Sequence, residues 1–298
     1  MTEANQQASE AQPSKAGIFV RRFCSASLLW GVLLLGLFYE NPAIAKPAFL
    51  LIMLLLAGLG LREFFELSEQ GGFPGRPWQG TLAGMTMVGG VFLLLALPRE
   101  PRTDLVPLFE ICFLSFFILA VGVRHIFLDD IQGKLGVTIM GVLYVAMLLN
   151  FLQLIQFEFG PWFLLFFIVV TKASDTGAYL LGSAIGRHKM LPTISPGKTW
   201  EGFAGAILLS VGAAAAFNHF GEDYFSRMPM SHACVVGVVL GVGAVFGDLV
   251  ESKLKRVAGA KDSGSYFPGI GGILDLLDSL LFNAPMMYLY LKYGMPVS

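Results

Sequence analysis

The chain runs to 298 residues, 55% of them hydrophobic and 14% charged, where soluble domains carry roughly 25% charged residues. A mean hydropathy of +0.68 excludes an ordinary soluble domain and marks an all-α, polytopic integral membrane helical bundle. The net charge of −1 provides no field to attract nucleic acid, so any anion selectivity is local.

In chain order, residues 1–20 read as a disordered polar tail, because Met1 to Ala16 lacks aromatic residues and offers little apolar surface to bury. The first apolar run opens after Arg21-Arg22 without a small-residue cleavage site, so its helix is expected to be retained. With about 20 apolar residues needed per crossing, nine transmembrane helices are predicted, at about 22–40, 46–63, 80–98, 104–127, 134–155, 161–183, 200–220, 231–249 and 271–292. Residues 21–160 would form N-terminal transmembrane helices, and 161–298 a catalytic transmembrane region with loops 184–199 and 250–270. Pro42, Pro74, Pro77, Pro98, Pro101, Pro161, Pro192, Pro196, Pro229 and Pro268 fall between the spans, where residues that cannot continue a helix belong. Cys24, Cys112 and Cys234 sit in apolar runs without metal or disulfide spacing, as packing residues do. Lys and Arg set the orientation. With a cytoplasmic N-terminus, 14 of the 20 fall in inner segments and 5 in outer ones, leaving Lys172 inside a span. Loops 184–199 and 250–270 then both face the cytoplasm.

Three polar blocks stand out. Lys172 and Asp175 lie three apart in the sixth span, on one helix face, and ionisable groups at membrane depth are functional candidates by default. They either pair as a structural ion pair or, with Ser174, Thr176 and Tyr179 beside them, face a polar cavity. Next comes Ser195-Pro196-Gly197-Lys198-Thr199-Trp200-Glu201-Gly202. Gly-Lys-Thr suggests a phosphate loop, but Pro192 stands where that motif needs glycine and no β-strand is expected before it. Thr199 reads as a helix N-cap, and Lys198 beside the open N–H groups of a helix start makes an anion site.

The third block, Gly247 to Ser279, carries the strongest signal. Asp248 closes the eighth span, and Ser252, Lys255 and Arg256 fall within one helical turn before Lys261-Asp262. Gly271 and Gly272 open the ninth helix with permissive backbone whose N–H groups can meet an anion. Asp275, Asp278 and Ser279 then share one helix face. Asp275 alone could serve as a helix cap. Two carboxylates on one face repel unless a cation sits between them, and hard oxygen ligands favour Mg²⁺. Asp248 can complete a metal site of Asp248, Asp275 and Asp278.

At these residues the chain resembles the phosphatidate cytidylyltransferase family (CDP-diacylglycerol synthases). The family pattern S-x-x-K-R-x4-K-D-x-G, then a glycine-rich turn and D-x-x-D, falls on Ser252, Lys255-Arg256, Lys261-Asp262, Gly264, Asp275 and Asp278. The upstream blocks at Asp175 to Tyr179 and Ser195 to Gly202 are also similar. Ile270, Leu276 and Gly197 depart from the histidine, arginine and lysine usual there, and Leu276 removes a cation. The resemblance implies transfer of CMP from CTP to phosphatidic acid, releasing pyrophosphate, by an integral protein of the bacterial inner membrane. It implies Mg²⁺ as cofactor and leaves open a monovalent cation such as K⁺. Lys255, Arg256, Lys261 and Lys198 would hold the triphosphate, while Asp175 and Ser195 shape the cavity. Glycine-rich spans such as 80–91 leave a homodimer open. The competing readings are a polyprenol or phytol kinase, a membrane transporter, and a relative that has lost activity.

Overall fold

A computed structural model describes residues 27, 30–97, 100–128, 134–260, 263–264 and 271–295. The tail 1–20, Cys24, Lys261, Asp262, Pro268 and Ile270 lie outside the described residues.

A helix over 30–38 (α1) leads into α2 (Pro42–Gln70), which opens where Asn41 accepts the Ala43 N–H at 3.0 Å and Pro42 takes the first helical position. α3 (Pro77–Ala96) and α7 (Pro161–Ile185) open on proline in the same way, where its missing N–H costs nothing. Between them run α4 (Val106–Leu128) and a rod formed by α5 (Lys134–Gly141) and α6 (Leu148–Leu154), separated by a π-helical turn at Val142–Met147. The rod ends in a second π turn, Ile155–Phe159, and Gly160 makes the corner at a φ of 96°. After α7 come β1 (Lys189–Leu191) and β2 (Ser195–Thr199), paired antiparallel, then α8 (Trp200–Phe220), the short α9 (Glu222–Phe225), α10 (Met230–Val257) and α11 (Ile273–Leu289).

Seven described helices are long and apolar enough to cross a membrane: Pro42–Gln70, Pro77–Ala96, Thr103–Val123, Lys134–Phe159, Pro161–Ile185, Trp200–Phe220 and Met230–Val257. Each coincides with a predicted span; the remaining two predicted spans contain α1 and α11. Two local expectations are corrected. Loop 184–199 holds the β1–β2 hairpin, so a strand does precede Gly-Lys-Thr. Glu201 pins that hairpin by accepting the Arg187 and His188 N–H groups and pairing with the His188 ring. The eighth span does not end near 249: α10 continues to Val257, because nothing from Asp248 to Arg256 breaks a helix and Ala258 and Gly259 close it.

Glycine sets the distances between helices around the C-terminal half. Small residues let membrane helices approach closely, since lipid offers no hydrophobic drive for association. α7 and α8 form the most extensive helix pair, and a methyl group at Gly205 would strike the Gly177 carbonyl, as one at Gly177 would strike that of Gly205. Gly205→Leu is therefore expected to cost about 2–3 kcal/mol and to lower thermal stability in detergent; an unchanged melting curve would mean that α8 slides freely. Gly247 plays the same part for α10 and α11, lying against the Asp278 carbonyl and the Ser279 Cα.

Candidate active site

Three helices and one strand contribute polar side chains to one place. On α10, Asp248, Glu251, Ser252 and Lys255 recur at three- and four-residue spacing and so share a stripe. α11 offers Asp275, Asp278 and Ser279, α7 offers Lys172 and Asp175, and Lys198 comes from β2. The close approach at Gly247 brings Asp278 beside Asp248.

Every lysine in the group is engaged. Lys172 Nζ reaches Asp175 Oδ2 at 3.2 Å, Ser279 Oγ at 2.9 Å and Asp278 Oδ1 at 3.9 Å. Lys198 Nζ bonds Asp248 Oδ2 and the Val245 carbonyl, both at 3.2 Å. Lys255 Nζ bridges Glu251 Oε2 at 2.6 Å and Asp275 Oδ1 at 2.7 Å. The three predicted metal ligands thus fall into two adjoining groups, Asp248 with Asp278 and Asp275 with Glu251 and Lys255. Among the described residues no three His, Cys, Asp or Glu side chains are arranged to hold a metal ion.

The start of α11 is built unlike the exposed anion cradle expected at Gly271 and Gly272. A helix start leaves four N–H groups without partners, and here the chain's own side chains take them. Asp275 Oδ2 accepts the Gly272 N–H at 2.9 Å and the Ser263 N–H at 3.2 Å. Glu63 Oε1 accepts the Ile273 N–H at 2.9 Å, while Glu63 Oε2 accepts the Leu274 N–H at 2.7 Å and the Ser263 hydroxyl at 3.0 Å. The Asp275 N–H donates to Ser263 Oγ at 3.3 Å. Gly272 is buried, and Gly271 turns the chain at a φ of 106°. Asp275 therefore caps its own helix, the simpler of its two readings, while also gripping Lys255.

Glu63 is the residue that sequence reasoning passed over. It lies in α2, some 200 residues away in sequence, fully buried. Its signal was periodicity: Gly60, Glu63, Phe64 and Leu67 recur on one helix face and are all buried, and a carboxylate on such a face needs a partner.

Asp175, Lys198, Thr199 and Asp248 line a cavity of about 160 Å³ with Ser174, Met190 and Phe203. Thr199 caps α8 by accepting the Gly202 N–H at 3.1 Å, as expected. Ser195 begins β2 and Ser252 is half-buried on α10; neither lines this cavity. Arg256 donates to the Ile194 carbonyl at 3.1 Å and ties the end of α10 to the hairpin turn.

A family model described as the cytidylyltransferase family matches residues 20–294. A Bacillus subtilis protein named phosphatidate cytidylyltransferase is 30% identical over 271 residues, covering 89% of this chain and 96% of that relative. Proteins of the same name from Staphylococcus aureus and Chlamydia muridarum are each 34% identical, over 70% and 63% of this chain and 78% and 64% of their own lengths. With the match running from residue 20 to residue 294, the chain belongs to the cytidylyltransferase family and is a nucleotidyltransferase.

Proposed function

We propose that this protein transfers CMP from CTP to phosphatidic acid, giving CDP-diacylglycerol and pyrophosphate. In this reading it crosses a bacterial inner membrane nine times, with its N-terminus and the site on the cytoplasmic side. The observation that carries the reading is the polar group itself. Five carboxylates (Asp175, Asp248, Glu251, Asp275, Asp278) meet three lysines (Lys172, Lys198, Lys255), so two negative charges stay uncompensated when all are ionised. Such a set of hard oxygen donors fits a divalent cation such as Mg²⁺. Asp248 and Asp278 would hold it, joined by Asp275 where its pairing with Lys255 opens. When bound, Mg²⁺ neutralises charge on the nucleotide phosphates.

The chemistry asks little else of the protein. A phosphate monoester has a second pKa near 6, so phosphatidic acid is mostly dianionic at neutral pH and needs no strong general base. Its oxygen forms a bond to the α-phosphorus of CTP while the bond from that phosphorus to the bridging oxygen breaks, and pyrophosphate leaves. Positioning and charge neutralisation do most of the work in such transfers. Lys198, Lys255 and Arg256 would supply cations for the triphosphate and departing pyrophosphate, and the family pattern assigns Lys261, which lies outside the described residues, the same role. Lys172 holds Asp175 and Asp278 in place, and Asp175 borders the nucleotide.

Purified protein in detergent is expected to release pyrophosphate only when CTP, phosphatidic acid and Mg²⁺ are all present. Release of CDP with a polyprenol acceptor would replace this reading with a lipid kinase.

A further inference from the structure

Beside the carboxylate group, the ends of α2 and α10 and the start of the α5–α6 rod leave a groove of about 450 Å³. Its wall is almost wholly apolar, built from Phe64, Leu67, Val137, Tyr144, Val250 and Leu254. One charge sits among them, that of Lys253, which is exposed and has no ion-pair partner among the described residues. This sets it apart from Lys172, Lys198 and Lys255, each held by a carboxylate. Tyr144 also lines the groove; it belongs to the π turn of the rod and lies within electrostatic reach of Asp278, Glu251 and Asp248. π-Helical insertions recur at functional sites, and this one places a side chain on both the apolar groove and the polar group.

We propose that this groove seats an acyl chain of the phosphatidic acid substrate, with Lys253 drawing the anionic headgroup in from the membrane surface. The assignment rests on the reaction proposed above and deepens it. Apolar wall and single unpaired cation match the two ends of an anionic lipid. A lysine at the membrane surface attracts an anionic headgroup, and apolar contact along the chain supplies the rest. Because Tyr144 borders both the groove and the carboxylates, the phosphate would arrive beside Asp248 and Asp278 while the tail stays between helices. Met140 and Val250, both about half exposed, form the open side through which the chain enters.

Phosphatidic acid carrying a diazirine on its acyl chain, added to purified protein in micelles and photolysed, reads the site without turnover. Label is expected on the segments around Met140 to Tyr144 and Val250 to Leu254, displaced by unlabelled phosphatidic acid but not by phosphatidylcholine. Lys253→Glu should raise KM for phosphatidic acid about tenfold, with kcat and the KM for CTP within about twofold. Val250→Trp should cut kcat/KM about tenfold for long-chain lipid and leave a dihexanoyl substrate within about twofold, which separates a filled groove from a damaged fold. Label on other segments, equal displacement by phosphatidylcholine, or unchanged kinetics in both variants would overturn the groove. Wild-type protein that takes up label as expected yet releases no pyrophosphate would overturn the reaction alone.

Discussion

Replacing Asp278 by asparagine is expected to reduce pyrophosphate release by about two to three orders of magnitude, the scale on which removing one transition-state electrostatic contact acts, while leaving the protein folded. The substitution keeps size and shape and removes only charge. Asparagine retains an oxygen for the Ser279 N–H, which Asp278 Oδ1 accepts at 2.5 Å, so the helix turn persists. Asp278 is nearly buried, with Asp248 beside it and the Lys172 ammonium 3.9 Å away. Removing one of two neighbouring like charges relieves repulsion, so a lost rate could not be blamed on a lost fold. In the proposed mechanism these two carboxylates hold the cation, and Mn²⁺ binding followed by electron paramagnetic resonance should weaken in parallel. Retention of more than about a tenth of the rate would remove Asp278 from the machinery, since a tenfold change corresponds to only about 1.4 kcal/mol.

Glu63→Ala should be the most damaging change in the first half of the chain, costing about 3 kcal/mol and most of the activity. Its carboxylate accepts the Ile273 and Leu274 N–H groups and the Ser263 hydroxyl in a fully buried place. An unsatisfied buried polar group costs about 1–3 kcal/mol, and the positive end of α11 would also lose its counter-charge. Glutamine should fall between, since its oxygen can serve one donor while its amino group faces another. The measurement is melting in detergent together with turnover; Glu63→Ala matching wild type in both would mean that other groups supply the helix start.

These two residues mark the limit of what the sequence conveys. Seven of the predicted spans were legible because a membrane imposes about 20 apolar residues per crossing, a demand each helix meets by itself. The polar faces of α7, α10 and α11 were legible for the same reason, as three- and four-residue spacing is local. Partner choice was not. Whether Asp275 met a metal, Lys255 or its own helix start depended on where α10 ended, and that depended on the absence of a breaker after Asp248. The periodicity around Glu63 marked it as buried but did not name its partners, which lie some 200 residues away, and its neighbours Arg62 and Glu66 form a surface pair at 2.8 Å. The β1–β2 hairpin was hidden by its length, its strands being 3 and 5 residues long.

The self-pairing of the site carries a thermodynamic consequence for the proposed reaction. Lys198 cannot give its full charge to a triphosphate while it serves Asp248, nor Lys255 while it serves Asp275. An arriving nucleotide must win each lysine from a carboxylate, and each carboxylate so released gains affinity for a cation. The two ligands are therefore linked, and by reciprocity each raises the affinity for the other by the same factor. CTP alone and Mg²⁺ alone should both bind weakly, and calorimetric titration of one in the presence of the other should show the cooperativity directly.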